Sequence, residues 1–566
     1  MPTADGYKSK LGRRELLLRR ATSLMTERAS WDARWRDIDE HLLPCSSRFF
    51  AQDRNSGDNR WNSIIDNWGT IALDRFVGGM MSYGTSPARP WLAYRVADDD
   101  LNDFQAVRVW LDIAAKQTLD VFDRSNTYEA LPQLYEQCGA YGTGASIVLW
   151  DAEDVIRHFP VPIGEFCIAT DYRGDVTTLF REFEKSAGEL VLEFGFDNCS
   201  LAVKQAWQRG DVDSPFTIHH CIEPRSDRDT TKEDQRNMAW RSVYFEKGGD
   251  PDQVLREGGF DHFPVLAPRL KVRPGDIYGQ SLAMRALGDI RQLQHEQRHK
   301  ADVLNQMTDP ALQVPTGMVN RQVERLPGGV NYYDQNTPSG GIRRAYEVGI
   351  DHSGLLEDIH DVRQRIDRAF YADVFAFLST ISDTTQRTMA EIVAREGERM
   401  AIAAPVSRQF NREIRRPLIN ITFRHLLESG RLPPPPQELH GMDLEIDYLD
   451  VFSQAQRQIG VNTSDRFLGV VMNLSGARPE ALDKLDVDEI VDDYAERYGV
   501  SAKMVLASDD PRVRGIREAR TKAQAAEAQA AMMATQAKTA KDLAGASTQG
   551  GSALTDLVGY GGGGVQ

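Results

Sequence analysis

The sequence predicts an α+β protein, mainly helical, and three observations carry that reading. Apolar residues recur at threes, fours and sevens through most of the chain. From Ser146 to about Pro264 the pattern changes to short apolar runs between turn signals. Two long helical patterns then follow, with a short Gly- and Pro-rich element between them. The 566 residues are 41% hydrophobic and 27% charged, which excludes a fibrous, collagenous or wholly disordered chain. Length alone suggests roughly three or four domains.

In order, Gly6 to about Leu43 reads as a helix on the spacing of Leu17, Leu24, Trp31, Trp35, Ile38 and Leu42, and Pro44 stops it. A second helix runs from about Ser63 to Met81, a third from Leu101 to Ser125, and a fourth from Tyr128 to Gly139. The β-rich segment over 146–264 contains Ile147–Trp150, Phe166–Ala169, Thr217–Ile222 and Arg241–Phe245 as strands. The long helix at 280–307 would extend about 40 Å. A second spans 355–378, and 308–354 between them is short and strand-like. A polar break from Ser379 to Thr385 leads into a long helix from about Gln386 to Ser429, kinked or broken by Pro405 and Pro417. Pro433 to Pro436 form a stiff hinge, and a connecting segment occupies 431–510. The alanine-rich helix at 511–544 has few large apolar residues, so it wants copies of itself beside it. Residues 545–566 read as a flexible Gly/Ser tail.

Charge and chemistry narrow the function. With 67 basic and 83 acidic residues, the net charge of −16 is the reverse of what a chain gripping DNA by a basic surface shows. The five cysteines contain no C-x-x-C pair, so a disulfide framework and a zinc ribbon are both unsupported. No signal-peptide core and no run of about 18 apolar residues is present, so a soluble chain made in the cytosol is expected. P-loop, nucleophile-elbow and kinase signatures are absent. Gly139, Gly142 and Gly144 follow a helix and open a strand, the reverse of a dinucleotide fingerprint, and read as a tight turn. His219 and His220 are neighbours on a strand and point to opposite faces, so they cannot easily share a metal. His295-Glu296-Gln297-Arg298-His299 is a literal H-E-x-x-H string. Its helix carries Arg291, Arg298 and Lys300 and shows no third ligand downstream. No enzyme, metal or cofactor is expected.

Several segments, each weak alone, are collinear with one family. They are Asp66, Ala72, Gly78-Gly79-Met80, Ser82 and Thr85 to Trp91, then Phe122, Tyr141-Gly142-Thr143-Gly144-Ala145 and Thr178 to Phe183. Tyr278-Gly279, Leu287 to Leu304, Thr388 to Ile392, Arg395, Glu398, Asp486 and Tyr494 continue the series. Over about residues 10 to 520 the chain resembles the portal proteins, or head-to-tail connectors, of short-tailed phages. The resemblance implies a dodecameric ring at one capsid vertex, with double-stranded DNA held non-specifically in its axis. It also implies the terminase large subunit, head-tail adaptor and tail proteins, and major capsid and scaffolding proteins as partners, with no membrane. The implied location is the virion, after assembly in the host cytoplasm.

On that plan, residues 1–275 correspond to the wing, with the β-rich insertion at 146–264. Residues 280–307 and 355–378 correspond to the stem, 308–354 to the clip and 379–387 to the tunnel loop. Residues 388–430 form the kinked helix returning to the wing, 431–510 the connection to the crown, and 511–544 the crown helix. Thr384, Thr385, Gln386 and Arg387 are then the groups that touch DNA. Arg321, Arg325, Arg343 and Arg344 would meet an adaptor or the packaging motor. The short clip and modest crown helix depart from family members with a long C-terminal barrel. Two other classes are distinguishable by experiment. One is a zinc hydrolase using His295, Glu296 and His299; the other is a capsid assembly protein without a DNA channel.

Overall fold

The computed structural model describes residues 12–44, 46–49, 63–102, 104–232, 234–314, 323–324, 330–332, 342–345, 352–375, 402–439, 441–453, 467–474, 478, 485–498, 505, 511–545, 547–548 and 551–552. They form two compact units, fewer than length alone suggests. The first comprises residues 1–92, 116–432 and 448–466, the second 93–115, 433–447 and 467–566.

The first unit opens with α1 (Arg13–His41) and α2 (Trp68–Gly84). The third expected helix is broken after β1 (Leu92–Val96): α3 (Asp99–Asn102) belongs, like most of β1, to the second unit, and α4 (Gln105–Arg124) is divided between the two. Asn102 explains the break, because its side chain brackets Val96, accepting from the Val96 N–H and donating to its carbonyl, both at 2.8 Å. Helix α5 (Thr127–Tyr141) follows and ends at Gly142, whose φ of 84° supplies a left-handed cap.

The β-rich segment contains two sheets and two helices that strand periodicity alone does not reveal. Strands β2 (Ala145–Asp151) and β3 (Val155–Val161) pair antiparallel. Next come β4 (Phe166–Thr170), β5 (Val176–Ser186), α6 (Ala187–Phe194), α7 (Leu201–Gln208), β6 (Pro215–Pro224), β7 (Trp240–Glu246), β8 (Arg256–Phe260) and β9 (Val265–Leu266). The sheets are ordered β3-β2-β9 and β4-β5-β6-β7-β8, and every strand pair in them is antiparallel.

The five-stranded sheet is covered on both faces, which alternation along β6 makes possible. Cys221 packs with Leu17, Ala21 and Leu24 of α1, together with Phe180, Val243 and Phe245. Ile218 instead joins Leu190 and Phe194 of α6 and Val203 and Ala206 of α7. At the start of α1 the buried Arg14 donates to the carbonyls of Lys247, Gly249 and Asp250, fastening the helix to the β7–β8 turn.

Beyond the sheets lie α8 (Leu282–Thr308), the short strands β10 (Leu312–Gln313) and β11 (Arg343–Arg344), α9 (His352–Ala369) and α10 (Ala372–Phe375). Within the expected 355–378 helix, Phe370 and Tyr371 interrupt the pattern, with Tyr371 at φ 57°. Neither proline nor glycine marks that break in the sequence. Helix α10 turns back on α2, where Phe375 lies so close to Gly79 that a Cβ there would strike its ring.

A helix over 402–410 continues into a π turn at Asn411–Arg415 and an α-helix at Arg416–Glu428. Pro417 has no N–H to offer the Glu413 carbonyl, and the turn before it widens. In the second unit, Leu444–Tyr448 pairs with β1, and Trp110 donates to the Pro433 carbonyl at 2.9 Å. Arg517 of the Pro511–Gly545 helix meets Asp488 of the Val487–Tyr498 helix at 2.5 Å. Within the expected tail, Ser547–Thr548 pairs with Gly551–Ser552.

Candidate functional site

The antiparallel hairpin of α8 and α9 is the feature on which the functional reading turns. One apolar seam holds its root, with Ile290 and Leu293 of α8 and Ile359, Val362 and Ile366 of α9 all buried. Arg365 bridges the two helices, reaching Asp289 at 3.1 Å and Gln292 at 3.2 Å.

Asp66 fixes that root to α2. One of its carboxylate oxygens accepts from the Trp68 N–H at 2.9 Å, at the start of α2. The other accepts from Gln297 of α8 at 2.7 Å and from Arg363 of α9 at 2.6 Å. Gln294 completes the joint: its carbonyl accepts from the N–H groups of Ile65 and Asp66, and its amide donates to the Asp66 carbonyl. The Trp68 ring lies between Arg75 and Arg363, and its Nε1 donates to Asp367 at 3.1 Å. Burial raises the Asp367 carboxyl above the usual carboxylate range, with Arg75 pulling the other way. Sequence spacing gives no hint of this joint, because Asp66 lies more than two hundred residues from its partners on α8 and α9.

Away from the root the hairpin is bare. Leu304 and Met307 of α8 and Leu356 of α9 are exposed, as are Val330 and Tyr332 beyond them. Exposed apolar side chains on a hairpin whose root is tightly packed suit a surface that meets another protein.

Of the sequence-predicted docking residues, Arg343 and Arg344 form β11, paired with Gln313 and Leu312, and both are exposed. Arg321 and Arg325 lie outside the described residues, as do Thr384, Thr385, Gln386 and Arg387.

The H-E-x-x-H string lies on α8. His295 and His299 are exposed and touch, Nε2 to Nε2, at 3.4 Å. Glu296 instead turns towards α9, held by Gln292 at 2.6 Å, and its carboxyl is raised first by burial and further by Asp358. Among the described residues no group of three or more His, Cys, Asp or Glu could hold a metal. His219 and His220 separate as the strand pleat requires: His219 stacks on Phe245, while His220 stacks on Tyr244 and bonds Ser242 at 2.9 Å.

Two motifs that are far apart in sequence meet below α8. Thr143 of the Tyr141–Ala145 turn accepts from the Gly279 N–H at 2.9 Å, and Gly142 and Gly279 pack backbone to backbone. Tyr278 beside it accepts from the Ile168 N–H and packs on Trp31 and Trp35. Among the described residues no helix is long and apolar enough to cross a membrane.

Residues 14–505 match the family described as bacteriophage head to tail connecting protein. The chain belongs to that family. Its relatives in this head-to-tail family include the probable portal protein of Bordetella phage BPP-1, 45% identical over 96% of this chain and 98% of the relative. The portal protein of Salmonella phage epsilon15 is 40% identical, again over 96% of this chain and 98% of its own. A solved chain of the neck of an empty GTA particle is 13% identical, covering 77% of this chain and 90% of that one at a TM-score of 0.31. The head-to-tail connecting family is structural and not enzymatic, and its members are components of the phage particle.

Proposed function

We propose that this head-to-tail connecting protein is a portal. About twelve copies would form a ring at one capsid vertex, through which double-stranded DNA is packaged and ejected. The terminase large subunit would dock on it first, and the head-tail adaptor and tail proteins afterwards. Major capsid and scaffolding proteins would surround it during assembly in the host cytoplasm. The observation that carries this reading is the match to portal relatives over 96% of the chain.

Two features support the arrangement. The α8–α9 hairpin is packed at its root and carries exposed apolar residues further out, as a wall element would before its neighbours arrive. Twelve copies at −16 each would carry about −192, so an acidic channel would repel phosphate and let DNA slide. In this reading α8 and α9 form the stem, the β10–β11 region forms the clip, and the Pro511–Gly545 helix forms the crown. Thr384, Thr385, Gln386 and Arg387 would touch DNA from the tunnel loop. Arg321, Arg325, Arg343 and Arg344 would contact the motor or adaptor.

Native mass spectrometry and negative-stain microscopy of the purified chain test the proposal. The expected result is a ring of about twelve subunits with a hole wide enough for duplex DNA. A chain that stays monomeric or dimeric under all assembly conditions overturns it.

A further inference from the structure

The portal reading leaves the histidine pair on α8 without a role, and its geometry suits a ligand. His295 and His299 lie one turn apart on an exposed face, and their rings are 4.2 Å apart between centroids. Their Nε2 atoms are 3.4 Å apart. Two imidazole nitrogens bound to one tetrahedral ion at about 2.0–2.1 Å are themselves separated by about 3.4 Å, the edge of that tetrahedron. Without a metal, one Nε2 must donate a proton to the other for the contact to be favourable. With one, both lone pairs are used.

We propose that His295 and His299 form a two-histidine chelate for a divalent transition ion of the zinc class, with its other two positions open to water. The surroundings fit a binding site and not a hydrolytic one. Glu296 is the carboxylate that a zinc hydrolase would use as its base, and it instead accepts from the exposed Gln292 at 2.6 Å and faces Asp358 of α9. Arg291, which could crowd a cation on the same helix, is paired with Asp37 at 2.9 Å. Imidazole selects zinc, cobalt, nickel and copper over magnesium and calcium, so the ions that accompany phage DNA would not compete. Because the pair sits on the hairpin flank, an ion there would tie adjacent turns of α8 and stiffen the helix where its apolar packing thins out.

The test is titration of the purified full chain with cobalt(II), followed by its visible absorption and by equilibrium dialysis. One ion per chain is expected by dialysis, with visible bands shifted from those of the aqua ion and displaced by zinc. His295→Ala and His299→Ala should each abolish the bands, while Glu296→Gln and His360→Ala should leave them intact. Circular dichroism checks that each variant keeps its helix content. Cobalt uptake that survives both histidine substitutions overturns the proposal. So does loss of the bands in Glu296→Gln, which would make that carboxylate a ligand, and so does a chain that takes up no cobalt.

Discussion

Arg415 and Asp450 form an ion pair at 2.5 Å in which both side chains are fully buried. Arg415 belongs to the π turn before Pro417 and also donates to Ser407 and Asn411, so one guanidinium ties the widened helix to the segment after Leu444–Tyr448. A Cβ on Gly84 would collide with the same guanidinium, which brings the end of α2 into the joint. Removing one partner strands the other charge away from water. Asp450→Ala should therefore destabilise the first unit by about 3–5 kcal/mol. Arg415→Met with Asp450→Leu should recover most of that loss. Denaturant unfolding of the three proteins checks this, and equal stability of the single and double variants would refute it.

Asp66 joins three helices through one carboxylate, so its loss should be felt at each. Asp66→Ala removes the capping acceptor of α2 and the partner of both Gln297 and Arg363, at a cost of about 2–4 kcal/mol. Asp66→Asn keeps an acceptor for Trp68 but loses the charge facing Arg363, and should fall between the two. Thermal unfolding gives the ranking, and native mass gives the ring fraction. If the ring fraction follows the stability order, the root of the hairpin controls assembly; if it does not move, that link fails.

How much of this was legible depends on where each signal lies. The hairpin was readable because the stripe containing Ile290 and Leu293 and that containing Ile359, Val362 and Ile366 repeat at helical spacing. Helix α6 also announces itself, since Ser186 and Glu189 form a reciprocal capping box, but strand patterns on either side mask an eight-residue helix. The break at Phe370 and Tyr371 has no local marker and comes from packing on α2. Asp66 could be recognised as a family residue, yet its partners on α8 and α9 exist only after folding, as does the pairing of Arg415 with Asp450. The notable residues Arg343 and Arg344 were readable as basic, but their pairing with Gln313 and Leu312 was not.

Buried histidines make the first unit sensitive to acid. His219 stacks on Phe245, and burial pushes its pKa down to about 4, with Glu182 opposing that and Lys247 assisting. His158 is likewise lowered to about 4 by burial, and His220 is lowered by burial with Arg181 and Arg256 adding to it. Between the unfolded value of 6.5 and about 4, the unfolded chain binds more protons than the folded one. Stability is thus fully present above pH 6.5 and falls as the pH drops through that window, by about 2 kcal/mol at pH 5 for each of His219 and His158. His219→Phe keeps a ring against Phe245 and should flatten the pH dependence of the melting temperature between pH 7 and 5. An unchanged slope would show that His219 does not contribute.

Gly142 carries two constraints at once, and they can be separated. Its φ of 84° is the left-handed conformation that ends α5, and its missing Cβ lets the Gly279 carbonyl approach. An asparagine tolerates the first constraint but not the second, whereas alanine tolerates neither well. If the close approach dominates, Gly142→Asn and Gly142→Ala should both cost several kcal/mol, about 3 or more, because backbone at Gly279 cannot move aside as a flexible side chain could. Gly174 supplies the control: it has a φ of 82° and no atom within reach of a Cβ, so Gly174→Asn should cost only about 1 kcal/mol or less. Comparing the three by thermal unfolding distinguishes conformation from contact. A Gly142→Asn protein as stable as Gly174→Asn would mean that the Tyr141–Ala145 turn and the start of α8 can separate without loss.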